Sequence, residues 1–277
     1  MPIRLVAIDL DGTLLDSGGE ISHRNLTALR AAEEQGVQVA IVTGRRFHSA
    51  VRLVGELRPE TVLITSNGSR ISSAAGEVFY RRFLGREAAR KVIEATPDFR
   101  GYAVVTFDVA GPGQLLMEEN AAADGPAGWY LRNSREWLTL APNLADAIRT
   151  DPVQVMFGGP PDVIAPVEGV LRASAAAGLC HLTWTKYLRR DLSILDVLHP
   201  DCSKGVALAW WARRCGIEPE DVLAIGDNQN DLEMLKFAGQ PVLMSNHNYE
   251  SVPDEWPVTL SNDEHGVAEA LRKYVLN

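Results

Sequence analysis

Cysteine is scarce in this chain: Cys180, Cys202 and Cys215 are the only three among 277 residues. Their odd number and the absence of CxxC spacing argue against a disulfide framework and against a zinc site. Reduced thiols in a cytoplasm are the expectation that follows. Long apolar runs are missing too, and none approaches the roughly 18 residues a membrane helix requires. The opening residues, Met-Pro-Ile-Arg-Leu, lack the charged-then-apolar layout of a secretory leader. Positive charge is in deficit, with 27 Lys and Arg against 36 Asp and Glu, a formal net charge of -9. That balance speaks against nucleic acid or an anionic membrane as a partner. An anionic substrate would have to be drawn in by local groups, such as a metal ion or a few lysines and arginines. Internal repeats and low-complexity tracts are absent as well.

What is present is an ordinary globular mixture, 46% hydrophobic and 23% charged, long enough for one large domain or two. Ile3 to Ile8 is short and mostly apolar, as a strand buried on both faces should be, and it runs directly into Asp9. A helix is expected from Ser22, an N-cap residue, to a stop at Gly36. Val37 to Val42 and Thr61 to Thr65 read as further buried strands, with a helical segment between them. This alternation predicts a parallel sheet with right-handed crossovers. The rhythm breaks in the middle of the chain, where Tyr102 to Val109, Val153 to Phe157, Leu179 to Thr185 and Leu192 to Leu198 read as strands, the last two adjacent. Pro161 to Ala177 reads as a helix among them, and Ala121 to Gly128 as a loop. It resumes with a helix over Ser203 to Cys215, a strand over Val222 to Ile225, a helix over Asp231 to Ala238 and a strand over Pro241 to Met244. A core of residues 1–83 and 191–277, interrupted by an α+β insertion over 84–190, is the organisation this pattern predicts.

Four polar clusters sit at strand ends or helix starts. In Asp9-Leu10-Asp11-Gly12-Thr13, two carboxylates two residues apart project to the same side of an extended chain. At the C-terminal end of a parallel strand they face the crevice where α/β proteins bind ligands. Like charges so close require a neutralising cation, and hard oxygens suit Mg²⁺. Thr43-Gly44-Arg45 follows the second strand, where a hydroxyl and backbone N–H groups can hold a phosphate oxygen; alone it is weak, and a plain N-cap would account for it more often than not. Lys204 opens a helix, a position the helix dipole disfavours for a cation. Asp227 and Asp231, with Asn228 and Asn230 between them, follow a short apolar strand. Asn67-Gly68, after the third strand, is a similarly weak candidate, for which a tight turn is the plainer account.

Taken together and in order, these clusters resemble the motifs of the haloacid dehalogenase superfamily. They are D-x-D-G-T at Asp9 to Thr13, a Thr-Gly-Arg element at Thr43, a lysine at Lys204, and G-D-x-x-N-D at Gly226 to Asp231. The insertion between the second and third motifs resembles the C2-capped, Cof-type branch of sugar-phosphatase-like proteins. The likeness covers both core segments, while the cap matches mainly by position. His265-Gly266 departs from the Asp-Gly that relatives often carry near the C-terminus.

The resemblance implies a Rossmann-like parallel-sheet core with an inserted α+β cap, and an Mg²⁺-dependent phosphatase acting on a small phosphorylated metabolite, a sugar phosphate first. It implies that Asp9 attacks phosphorus and that Asp11 protonates the leaving oxygen, then activates water. Mg²⁺ would be held by the Asp9 side chain, the Asp11 carbonyl and Asp227, with Asp231 supporting it indirectly. Thr43, the Gly44 turn and Lys204 would hold the phosphoryl oxygens, assisted by Asn230. A phosphosugar mutase and a non-catalytic phosphate- or metal-binding regulator are the alternatives. A monomer or small homo-oligomer is expected. Specificity is expected within 84–190, where Trp129, Trp137 and Trp184 read as core packing before sugar stacking. Arg189 and Arg190 read as solvated cations, and hinges are expected near Phe83 and Leu188.

Overall fold

The computed structural model describes residues 2–119, 134–187, 191–249 and 251–276. The expected loop at 121–128, Trp129, the hinge at Leu188, Arg189 and Arg190 lie outside them. The chain forms two compact units, Met1–Arg81 with Ser203–Asn277, and Arg82–Cys202.

The first unit begins with β1 (Leu5–Ile8), α1 (His23–Glu34), β2 (Gln38–Val42), α2 (Phe47–Leu53), β3 (Val62–Thr65), β4 (Arg70–Ser73) and β5 (Val78–Arg81). The second unit contributes α3 (Arg86–Ala95), β6 (Ala103–Thr106), β7 (Leu115–Glu118), β8 (Leu138–Ala141), α4 (Leu144–Ala147) and β9 (Gln154–Gly159). It continues with α5 (Pro161–Arg172), β10 (His181–Tyr187) and β11 (Leu192–Leu198). The chain then completes the first unit with α6 (Lys204–Arg214), β12 (Val222–Gly226), α7 (Leu232–Phe237), β13 (Gln240–Leu243) and α8 (Gly266–Tyr274).

The core sheet has the order β13-β12-β1-β2-β3-β4-β5. Its first five strands are parallel, as the sequence rhythm predicted, and β4 and β5 add an antiparallel hairpin at one edge. The period of two along each strand sorts the apolar residues into two layers. Val6, Ile8, Val39 and Ile41 pack with Leu26 and Leu29 of α1 and with Val267 and Leu271 of α8. Leu5, Ala7, Ala40 and Val42 pack on the opposite face with Leu208 and Trp211 of α6 and with Met234 and Leu235 of α7. Each Leu, Ile or Val so buried contributes roughly 1.5–3 kcal/mol of transfer free energy. That burial holds the strand ends in fixed register: Ile8 is level with Ile41 on one side and Ile225 on the other. Asp9, Thr43 and Asp227 therefore emerge together from the C-terminal edge. Among the described residues no helix is long and apolar enough to cross a membrane.

In the second unit, a six-stranded sheet of order β10-β11-β9-β6-β7-β8 carries α3, α4 and α5 against one face, over a core that includes Val92, Ile93, Phe157, Ile164 and Leu195. The strand Leu192–Leu198 pairs antiparallel with both β10 and β9. It thus belongs to the second unit, whose far boundary falls at 202/203 where the sequence pattern suggested 190/191. Trp184 packs against the helix-covered core and donates its indole N–H to Glu168 at 2.6 Å, while Trp137 is buried on the sheet's other face.

Candidate active site

Asp9, Asp11, Thr43, Gly44, Lys204, Asp227, Asn230 and Asp231 all lie in the first unit, in the segments that follow its strands or, for Lys204, at a helix start. Asp9 is 4% exposed and its backbone N–H still bonds the Ile225 carbonyl, so it is rigidly the last rung of the sheet. Lys204, the first residue of α6, is 1% exposed. Its ammonium donates to Asp9 Oδ1 and to Asp231 Oδ1, both at 2.6 Å. The helix start that places it is fixed by Ser203, whose hydroxyl accepts the Val206 N–H and bonds Glu233.

Asp227 follows β12 and receives the Thr13 hydroxyl at 2.8 Å. Its carboxylate lies directly on Gly12, at φ +85°, where a Cβ would collide with it. This is why the Asp-x-Asp loop needs glycine at that point. Asp231 is fully buried. Its Oδ2 accepts the backbone N–H groups of Asp227 and Asn228 at 3.1 and 3.0 Å, so it braces the loop that carries Asp227. One oxygen from each of Asp9, Asp227 and Asp231 lies within 4.8 Å of the others. The Asp11 carboxylate is turned elsewhere: Arg45 holds it with two bonds, Nε to Oδ2 at 2.7 Å and Nη2 to Oδ1 at 2.6 Å.

Burial pushes the Asp9 carboxyl up to about 7, the charge of Asp231 adds to the rise, and Lys204 opposes it. Burial also raises Asp227, with Asp9 and Asp231 adding to the effect. Burial works against the Lys204 ammonium, yet Asp231 and Asp9 outweigh it and hold its pKa above the ordinary lysine value. One ammonium does not balance three clustered carboxylates. The residues present therefore fit a divalent cation, and their hard oxygens are those Mg²⁺ takes.

A dependence of stability on pH follows. Without a divalent ion, the Asp9 carboxyl binds its proton more tightly folded than unfolded. Its stabilisation is complete below about pH 4, the ordinary aspartate value, and is lost as the pH rises through about 7. In EDTA the melting temperature of the native chain should fall across that window more steeply than that of Asp9→Asn. Parallel melting curves with the same slope would refute the assignment.

The remaining residues form a second group beside the acids. Thr43 is buried, and its hydroxyl accepts the Arg45 N–H at 3.1 Å. Gly44 is pressed against the Asn67 and Asn230 side chains, leaving little room for a Cβ. Asn230 Nδ2 donates to Asn67 Oδ1 at 2.9 Å. In the sequence Asn67 is only a weak candidate and Arg45 carries no role, since neither contact has a local signal. His265 sits apart from these groups: it adopts a left-handed backbone at the start of α8, and its Nδ1 bonds the Ser22 hydroxyl.

The structure thus presents a buried carboxylate flanked by a lysine, a cluster fit for a cation, and a polar cradle on the same edge. A family model described as haloacid dehalogenase-like hydrolase matches residues 6–271. HMP-PP phosphatase of Cronobacter sakazakii is 30% identical over 246 residues, covering 88% of this chain and 84% of that protein. 5-Amino-6-(5-phospho-D-ribitylamino)uracil phosphatase YcsE of Bacillus subtilis is 29% identical, covering 99% and 96%. Among solved structures, a haloacid dehalogenase-like hydrolase from Bacteroides thetaiotaomicron is 27% identical with a TM-score of 0.78, covering 98% of this chain and 99% of that one.

Proposed function

The chain belongs to the haloacid dehalogenase-like hydrolase family and is a phosphatase, and from that premise we propose that it hydrolyses a small phosphorylated metabolite, with Mg²⁺, through an aspartyl-phosphate on Asp9. Relatives whose names specify small phosphorylated compounds support the substrate class. On this reading Arg82–Cys202 is the cap.

The approach of Lys204 to Asp9 carries the mechanism. It engages Oδ1 alone, and no hydrogen bond from a described residue reaches the other oxygen, which is thereby the one that attacks phosphorus. As the Asp9–phosphorus bond forms, the bond to the ester oxygen breaks, and that oxygen takes the Asp11 proton. Asp11, now a carboxylate, takes a proton from water. The resulting hydroxide attacks phosphorus, the Asp9–phosphorus bond breaks, and orthophosphate leaves. Asp9 and Asp227, with the Asp11 carbonyl, are the residues that would hold Mg²⁺, and Asp231 would support it through the Asp227 loop. When bound, the ion supplies positive charge that offsets the phosphoryl oxygens and the carboxylates. Thr43, the Gly44 backbone, Lys204 and Asn230 bind and orient the phosphoryl group, which is most of what phosphoryl transfer asks of a protein.

Phosphate release from p-nitrophenyl phosphate and from a panel of metabolite monophosphates tests the proposal. Activity should appear with Mg²⁺, drop by at least an order of magnitude in EDTA, and return when Mg²⁺ is restored. Turnover indifferent to chelation would exclude the ion, and silence towards every ester would exclude the reaction.

A further inference from the structure

We infer that Asn67 is a positioning residue for the phosphoryl cradle, holding the Asn230 carboxamide and the Gly44 backbone at their working geometry; the inference rests on the phosphatase reading above.

Ser66 and Asn67 both have left-handed backbones, at φ 49° and 52°, and both are almost fully buried. Two successive non-glycine residues in that region cost on the order of 1–3 kcal/mol each, although asparagine tolerates it better than most. Such a conformation persists only where its surroundings impose it. Here they do so from three sides. The Ser66 N–H bonds the Arg45 carbonyl at 2.8 Å and the Asn67 N–H bonds the Thr43 carbonyl at 3.0 Å, clamping the turn at 43–45. The next residue, Gly68, at φ +100°, lies against the Ser203 carbonyl with no room for a side chain, which ties the same turn to the residue before Lys204. The Asn67 side chain then reaches the fourth motif by accepting from Asn230 Nδ2.

One short turn thus touches the loops of Thr43, Lys204 and Asn230, where the phosphoryl group is proposed to bind. The consequence for Asn230 is chemical. Its amide nitrogen has two hydrogens, and the bond to Asn67 fixes the plane of the amide, so the second is aimed in one direction. Its Oδ1 is buried and has no hydrogen-bond partner among the described residues, so Asn67 is the neighbour that fixes this amide. The same carboxamide lies over Gly44, where a Cβ would stand 3.2 and 3.3 Å from Asn67 Oδ1 and Nδ2. Asn67 makes these contacts without itself being assigned a contact to the reacting atoms.

Asn67→Gly removes the carboxamide and keeps a residue at ease in the left-handed region. With the full chain and Mg²⁺, its melting midpoint should match wild type. Its kcat/KM for p-nitrophenyl phosphate should fall on the order of 10- to 100-fold, and inhibition by inorganic phosphate should weaken in proportion. Combined with Asn230→Ala, the two losses should be clearly less than multiplicative, because one acts through the other. Should Asn67→Gly fail to fold, Asn67→Asp carries the test. It keeps the backbone preference and the acceptor for Asn230, so paired with Asn230→Ala it must show the coupling lost: a phosphate inhibition that Asn230→Ala weakens no further in Asn67→Asp than in wild type would leave Asn67 without its role. Asn67→Gly with kcat/KM and phosphate inhibition within twofold of wild type, or fully multiplicative losses in the double variant, would overturn the role of Asn67. A wild-type chain that releases no phosphate would instead sink the phosphatase reading, so the two failures are distinguishable.

Discussion

Asp9→Asn should leave the fold intact and reduce phosphate release to below about 10⁻⁴ of wild type, in the range seen when an enzyme loses its nucleophile. The substitution is nearly isosteric, and the side-chain oxygen of asparagine can still accept the Lys204 ammonium that now bonds Asp9 Oδ1. What disappears is the negative charge that makes the oxygen nucleophilic. Removing it also relieves a cluster in which burial and Asp231 already drive the Asp9 carboxyl up to about 7. The variant should therefore melt no lower than wild type at neutral pH in EDTA, and higher if that relief dominates. Loss of turnover together with an undiminished melting temperature separates a chemical role from a structural one. A variant releasing phosphate at the native rate would remove Asp9 from the centre of the mechanism. One that is inactive because it melts far below wild type would mean that Asp9 is needed for the fold.

The parts of this molecule legible in its sequence are those where burial and chemistry act on adjacent residues. Leu5–Ile8 is apolar throughout because both faces of β1 are covered, and the residue that follows is the carboxylate at the sheet edge. The same reasoning marked Thr43 and Asp227, while Lys204 drew notice as a cation at a helix start. It did not find the hairpin of β4 and β5, because Arg70, Ser72 and Ser73 are polar residues buried in β4 and give no apolar alternation. It set Leu192–Leu198 beside Leu179 to Thr185, as the β10–β11 pairing has it, but drew the domain boundary between them. A fully buried run looks the same whether its partners are parallel or antiparallel, and only the pairing with β9 and β10 decides. The contacts of Asp11 with Arg45 and of Asn67 with Asn230 join residues 34 and 163 positions apart. Nothing local announces either one, since each depends on which loops the sheet brings together.

Asp11→Asn should lower kcat by about 10²–10⁴, the usual contribution of a general acid–base, with little change in stability. The structural half of that expectation comes from its surroundings. Asp11 and Arg45 form a bidentate pair at 2.6 and 2.7 Å, but their side chains are 24% and 37% exposed. An exposed pair of this kind contributes on the order of 0–1 kcal/mol, so losing its charge should scarcely move the melting point. The chemical half depends on the leaving group. A p-nitrophenolate can depart without a proton, whereas an alkoxide from a sugar phosphate cannot. The first step should thus survive with the aryl ester, while water attack on the aspartyl-phosphate still lacks its base. A burst of nitrophenol close to one equivalent per enzyme, followed by slow turnover, is the expected signature. With an alkyl phosphate the first step itself is crippled, so no burst should appear and the loss in kcat/KM should be greater. Equal losses for both ester types would mean that Asp11 does not supply the proton. A variant with burst and steady-state rates at native levels would remove it from both steps, leaving Arg45 holding a carboxylate of purely structural use.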